Sequence, residues 1–410
     1  MDSLSQLRKE ISRYLTDSEA RRHDPVGPID ELVRDAGLLE VNGVWVVSSH
    51  RLVSALSADR RLSVDARLGG REPRFAQPRT LDHVFGLMLN VRDGVDHRRL
   101  RGLVSGVFTA RRIAELTESA ATLVESALDT DDALDVVSDL GVRLPVHMNC
   151  ELVGVPAEDH TQVLRWVKAL ARQLDRFGQT EAEVAQAERT LAEFTDYIHA
   201  LLAKRRLDPR DDIMTRLVQA HAQHMLSTDE LVAFVITLFV NGLDTLSAAL
   251  GNVLWTILGQ PGLLPKLTNR EDARVAFDEA VRLCSPIRLA ARTALSDVEV
   301  DGQTIPAESV VLFYWAAANR DPGFTDAPAE FRMDRGALGT FAFGHGPHQC
   351  LGAQLARLTG AEVISRLATR FPESTVDTAA GEVRWQGELV FCSPEQLRVK
   401  LVPQGAMAVA

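Results

Sequence analysis

The chain has 410 residues, 45 Lys plus Arg against 56 Asp plus Glu for a net charge of −11, and 46% hydrophobic content. That composition is globular and leaves out disordered and collagen-like classes. The acidic balance and the lack of a basic-aromatic module argue against nucleic acid as a partner.

Charges are scattered from Asp2 onward through MDSLSQLRKEISRYLTDSE, which supports neither export nor a membrane anchor, so the expected location is cytoplasmic. Residues 30–62 alternate helix-like and strand-like patterns. In LEVNGVWVV the pair Asn42-Gly43 between apolar alternations predicts a hairpin. From Arg98 to about Leu258, apolar residues at three-to-four spacing predict a helical body. Its breaks, at Pro145, Pro156, residues 204–212 and Gln260-Pro261-Gly262, read as loop chemistry. The uncharged run 231–243 is too short to span a bilayer and ends on Asp244, so it reads as a buried helix. A short helix through Arg282 follows. VEVDGQTI then predicts a second hairpin at Asp301-Gly302, and VVLFY a further strand. Residues 320–349, rich in Pro, Gly and charge, read as a long functional loop leading into a helix from near Leu351. The fold class is therefore mainly α with a minor β part. The β-rich region is expected at about 36–62 and 285–315, and the helical body at about 80–284 and 350–372, within a single domain spanning 1–410.

Four cysteines (Cys150, Cys284, Cys350, Cys392) show no CxxC pair or dense spacing, which argues against a disulfide framework or structural zinc. Cys350 stands in FGHGPHQCLG, immediately before the helical pattern AQLARLTGAEVISRLATRF. Gly344 and Gly346 allow a tight backbone whose N–H groups can point at one sulfur, and the helix adds its positive end; such a setting stabilises thiolate. Gly352 leaves room for something flat beside the backbone, which suits an axial haem ligand. An isolated cysteine before a helix is more often inert and buried, but the surrounding pattern reverses that preference.

FGHGPHQCLG resembles the haem-binding signature of the cytochrome P450 superfamily, the haem-thiolate monooxygenases, and the upstream AANRDP and ExxR match the same family across roughly residues 24–401. The resemblance implies the cytochrome P450 fold, a large helical body plus a small β-rich region. It also implies haem b (iron protoporphyrin IX) held by Cys350, with Phe343, Gly344 and Gly352 in the cofactor loop. Electrons would come ultimately from NAD(P)H through a ferredoxin or flavodoxin with its reductase. In FVNGLDTLS, Asp244 and Thr245 are poor residues for a helix interior. The resemblance makes them the acid-alcohol pair for proton delivery to bound dioxygen, with Gly242 permitting a local opening of the helix; a kinked helix with Asp244 paired to a distant arginine and Thr245 bonded to a carbonyl is the structural alternative. Asn241 departs from the small residue common there.

Glu279 and Arg282 share a helix face where a carboxylate–guanidinium pair can form, and the resemblance implies that they are the family's buried structural clamp. Glu330 stands where the third member, an arginine, often occurs, and Arg335 is the substitute candidate. His97 and Arg101, four apart, resemble the propionate pair, and Arg292 and His348 match the other two contacts. Five arginines within 97–114 predict a positive face for an acidic redox partner at Arg98, Arg99 or Arg112, against the plainer reading of a solvated face. Pocket positions are expected at Leu87, Met88, Val240, Asn241, Ile287, Arg288, Leu289, Ala290, Val390 and Phe391. Arg288 either pairs with a substrate carboxylate or faces solvent. The expected function is oxidation of a small organic molecule in specialised metabolism. The alternatives are oxidative coupling or ring closure without oxygen insertion and, further off, a non-catalytic haem sensor.

Overall fold

The computed structural model describes residues 3–23, 36–65, 80–105, 114–130, 133–173, 180–336 and 339–404. They form two compact units, one of Met1–Ser63, Ala120–Gly141 and Thr245–Ala410, the other of Val64–Ser119 and Val142–Asp244.

The first unit carries the strands. Leu38–Val41 (β1) and Val44–Val47 (β2) pair antiparallel around Asn42 and Gly43, whose φ values of 52° and 79° are the left-handed pair that a two-residue turn with this twist requires. The same chemistry at Asp301 (φ 48°) and Gly302 (φ 74°) closes the second hairpin. The remaining strands are Leu62–Ser63 (β3), Ala133–Asp135 (β4), Ala290–Ala294 (β5), Val298–Val300 (β6), Gln303–Ile305 (β7), Val310–Phe313 (β8), Thr375–Val376 (β9) and Arg398–Lys400 (β10). The main sheet has the order β1-β2-β8-β5-β3, antiparallel throughout except for β2 beside β8. A second sheet, β4-β10-β9, lies outside the two expected β-rich ranges.

Alternation sends neighbouring side chains to opposite faces of the main sheet. Val46 joins Leu7, Ile11, Tyr14, Leu289 and Tyr314 in one apolar cluster, whereas Val47 joins Val53, Leu62, Val311, Phe313 and Phe341 in another. Phe341 thereby anchors the 320–349 segment to the sheet. Beside it the Arg270–Leu283 helix packs on the Ala353–Arg370 helix. A Cβ at Gly360 would fall 2.2 Å from the Phe277 ring, so only glycine permits this approach.

The second unit is helical. Glu181–Leu207 begins in a capping box between Thr180 and Glu183 and packs on His160–Ala171 and on Ile213–Ala222. A buried Arg205–Asp212 pair, 2.5 Å, fixes its far end. Pro145, read from sequence as a break, instead sits in the first turn of the Arg143–Val153 helix, where its missing N–H costs nothing. The Thr228–Leu258 helix starts in this unit and ends in the other. At 31 residues it exceeds the 231–243 run read from sequence. It is long and apolar enough to cross a membrane, but 67% of its most apolar window is buried inside the protein, the signature of a core helix.

Candidate functional site

The Cys350 loop is held from both sides. Gly344 donates its N–H to Phe341 O (2.9 Å), the Cys350 N–H returns to Phe343 O (2.8 Å), and Gln349 N–H donates to Gly346 O (3.1 Å). Gly344 and Gly346 have φ of 69° and 71°, a conformation that side chains resist. A Cβ on Gly344 would also touch the Trp315 ring and the His348 carbonyl. The result is an exposed Cys350 thiol three residues before the Ala353–Arg370 helix. Gly352, the cap residue, places its would-be Cβ 3.9 Å from the Cys350 sulfur, so no bulk separates the thiol from the helix end. Arg357 reaches back to stack its guanidinium 4.3 Å over the Phe343 ring. Ser57 Oγ lies 3.0 Å from His345 Nδ1, tying the loop to the sheet side. In the same unit, Arg292 lies on β5, buried, with Nη1 donating to Ala291 O at 2.8 Å, and His348 is half-buried in the loop. Among the described residues no three His, Cys, Asp or Glu side chains gather as a metal cage.

The clamp is complete. Arg282, fully buried, makes a bidentate pair with Glu279 (Nε–Oε2 2.7 Å, Nη2–Oε1 2.8 Å). Arg335 Nε adds a third bond to Glu279 Oε1 at 3.0 Å, so the substitute candidate occupies the third position. Sequence reading missed Asn319 and Asp321 of ANRDP as individual actors. Asn319 accepts from Arg282 Nη1 on its carbonyl (3.0 Å) and from Phe341 N–H on its side chain (2.6 Å), which couples the clamp to the root of the cysteine loop. Asp321 caps His50 N–H at 2.7 Å. The signal was present, because short polar side chains beside Arg-Asp-Pro are turn and capping chemistry.

Asp244 and Thr245 are half-buried in an unbroken helix. The expected opening at Gly242 is absent. A Cβ there would lie 2.5 Å from Asn149 Nδ2, which donates to Leu238 O at 3.2 Å, so the glycine serves close packing. Among the described residues Asp244 has no ion pair, and burial raises its carboxyl pKa above the usual range. Asn241 Nδ2 donates to Asn90 Oδ1 (3.1 Å). In the second unit His97 is buried and Arg101 half-buried on the Gly94–Ser105 helix.

Several expected positions fall elsewhere. Arg288 neither faces solvent nor is free for a substrate carboxylate. It is 1% exposed, and its Nη1 donates to Glu388 O (2.7 Å) and Phe391 O (2.5 Å), two carbonyls of the segment that bridges to Ile287. Leu289 belongs to the Leu7–Tyr14 core cluster, and Met88 and Val240 are fully packed, whereas Leu87, Ile287, Ala290 and Phe391 retain exposure and Val390 is exposed. Ile287 and Phe391 meet in an antiparallel bridge. Arg99 is drawn into the protein by Glu230 and by Met225 O (2.7 Å), acids and carbonyls that the local sequence does not show. Arg98 is exposed, and Arg112 lies outside the described residues.

Residues 159–379 match the family model for Cytochrome P450. The polyketide biosynthesis cytochrome P450 PksS of Bacillus subtilis (strain 168) is 30% identical over 366 residues, 87% of this chain and 89% of its own. The crystal structure of CalO2, 28% identical, superposes with a TM-score of 0.85 over 94% of this chain and 98% of that one. P450BioI, solved in complex with acyl carrier protein ligated to hexadec-9Z-enoic acid, gives 0.83 at 27% identity over 94% and 100%.

Proposed function

This chain belongs to the cytochrome P450 family, and from that premise we propose that Cys350 is the single protein ligand of its haem iron and that the oxidised substrate is a small molecule of polyketide type. The family's activity is haem-thiolate monooxygenation, an oxidoreductase chemistry of specialised metabolism. It requires haem b, a substrate and electrons from NAD(P)H through partner proteins. When bound, the haem supplies dioxygen activation, which thiolate ligation favours.

The observation that carries the ligand reading is the exposed Cys350 thiol at a helix start, held by glycines that leave its surroundings open. A lone thiol without a metal cage suits one axial bond and does not suit chelation. The family resemblance makes His97, Arg101, Arg292 and His348 the cationic or donor groups that would meet the two propionates. Phe343, Gly344 and Gly352 shape the loop. Burial disfavours the charged form of Asp244, so its carboxyl holds a proton more readily than an ordinary one, and it would pass that proton toward the neighbouring Thr245 hydroxyl. Glu279, Arg282 and Arg335 position the loop through Asn319 and do not touch substrate.

The substrate class rests on the PksS relative. Of the positions expected to meet substrate, Leu87 and Asn241 in the second unit and Ile287, Ala290, Val390 and Phe391 in the first are not fully buried. Among the described residues Arg98 is the remaining candidate for steering a ferredoxin or flavodoxin in the cytoplasm. The test is the reduced, carbon-monoxide-exposed absorption spectrum of haem-loaded protein. A strongly red-shifted Soret band, lost in Cys350→Ala, is expected, followed by isotopic oxygen from dioxygen in the product. A band typical of neutral proximal ligation overturns the Cys350 assignment, and turnover without isotope incorporation overturns hydroxylation in favour of coupling or ring closure.

A further inference from the structure

Cys284 and Cys392 are 108 positions apart, yet their sulfurs lie 3.9 Å from each other, and the side chains are 5% and 1% exposed. The backbone around them is pinned. Asn252 Nδ2 donates to both cysteine carbonyls, 3.1 Å to Cys284 and 2.9 Å to Cys392. Cys392 N–H donates to Pro286 O at 2.8 Å, and Arg288 Nη1 holds the adjoining Phe391 carbonyl. Trp255 and Trp385, in edge-to-face contact at 5.0 Å, pack with the pair in one small cluster. Packing alone asks only for small apolar residues at these two places. Two thiols facing each other beside a buried guanidinium form a different chemical object.

We propose that Cys284 and Cys392 are a reversible oxidation site, joined as a disulfide by hydrogen peroxide with Cys392 as attacking sulfur and Cys284 as resolving sulfur. Burial pushes the Cys392 thiol up, but the Cys284 hydrogen bond and the Arg288 charge outweigh it and bring it to about 7. The same hydrogen bond, with burial, pushes Cys284 up. The roles follow from placement: the Arg288 guanidinium is bonded to the carbonyl of Phe391, the residue before Cys392, and its charge favours thiolate there. In the first step the Cys392 thiolate forms an S–O bond and the peroxide O–O bond breaks. The departing hydroxide takes a proton and leaves as water. In the second step Cys284 gives up its proton and forms the S–S bond as the S–O bond breaks, releasing a second water. Two thiols thus lose two electrons and one peroxide becomes two waters. The new bond would tie the chain after the clamp helix to the segment bearing Phe391, across the Ile287–Phe391 bridge.

Haem-loaded full-length protein is titrated with hydrogen peroxide, blocked with a thiol alkylator in denaturant, and mapped by peptide mass spectrometry without reduction. A 284–392 cross-link about 2 Da lighter than the two free peptides, for two lost hydrogens, and reversed by dithiothreitol is expected. Cys150 is the internal reference, since it is equally buried and burial pushes its thiol up; Cys284 and Cys392 should be lost at least roughly ten times faster. Cys284→Ser should stop at a sulfenic acid trapped on Cys392. Loss of all three thiols at one rate, or cross-links distributed among other cysteines, overturns the proposal. The wild-type map decides it even if a variant does not fold.

Discussion

Replacing Arg335 by alanine tests whether the clamp has three members. Glu279 is 6% exposed and faces two guanidinium groups, Arg282 at 0% and Arg335 at 5% side-chain exposure. Unit charges about 4 Å apart at an effective dielectric near 20 attract by roughly 4 kcal/mol. Removing one partner of a buried pair costs about 3–5 kcal/mol because the other charge is stranded. Arg335→Ala leaves Glu279 still paired to Arg282, so the loss should sit near the lower bound, about 3 kcal/mol. Part of it reflects Thr325 Oγ1 and the Ala327 carbonyl, at 2.9 and 2.7 Å, which lose their donor. Glu279→Gln strands two guanidiniums and should approach the upper bound, about 5 kcal/mol. Urea unfolding followed by tryptophan fluorescence reads this directly, because Trp45, Trp255, Trp315 and Trp385 all belong to the unit that holds the clamp. The double variant should show a coupling of about 2–3 kcal/mol. A loss below about 1 kcal/mol for Arg335→Ala, the level of an exposed pair, or strict additivity, would show that Arg335 is a bystander.

Asp244→Asn should gain stability relative to the parent as pH rises. The folded carboxyl binds its proton more tightly than the unfolded one, so the parent loses stability from the ordinary carboxylate range up through its raised folded pKa, then levels off. Melting curves across pH measure the gap, and a gap independent of pH refutes the burial argument. Gly242→Ala brings a methyl to 2.5 Å from Asn149 Nδ2 and breaks its bond to Leu238 O. The expected cost is about 1–3 kcal/mol, partly recovered by adding Asn149→Ala; a neutral single variant in denaturant titration would be the contrary result. Arg288→Met should lose about 2–4 kcal/mol through two stranded carbonyls, with no change in preference between acidic and neutral ligands in spin-shift titrations. A selective loss for acidic ligands at unchanged stability would return Arg288 to the pocket.

What could be read from sequence was local. The turns at Asn42-Gly43 and Asp301-Gly302 announce themselves because only a few residue types accept positive φ in succession. Glu279 and Arg282 are one helical turn apart, so their meeting follows from the 3.6-residue repeat, and Arg335 could be named only because the family resemblance implies a third member of the clamp. Pairings across long stretches left no local trace. The parallel register of β2 on β8 joins Val44 to Val310. Arg288 reads as facing solvent or meeting a substrate carboxylate, because its true acceptors are carbonyls, which every residue carries. Arg99 looked like a docking charge because its acid, Glu230, lies on another helix. Gly242 was given the wrong reason for the right residue type, since a helix glycine permits either opening or close approach and only the position of Asn149 decides.

A contrast among the polar groups separates scaffold from chemistry. The buried cations Arg205, Arg282 and Arg288 are aimed at carboxylates or carbonyls 2.5–3.1 Å away. Asp244 is different, because it is desolvated without an ion pair among the described residues, in the middle of the most apolar helix. Cys350 differs in the opposite direction, as the only exposed one of the four cysteines, on a loop that contains two positive-φ glycines. Burial of Asp244 costs folding free energy whenever its carboxyl is charged, and the two glycines before Cys350 hold a backbone conformation that other residues resist. Sequences that are otherwise locally consistent tolerate such costs where a reaction needs them. On that physical ground, independent of any family likeness, Cys350 and Asp244 are the two positions where a substitution that leaves the fold intact should remove turnover.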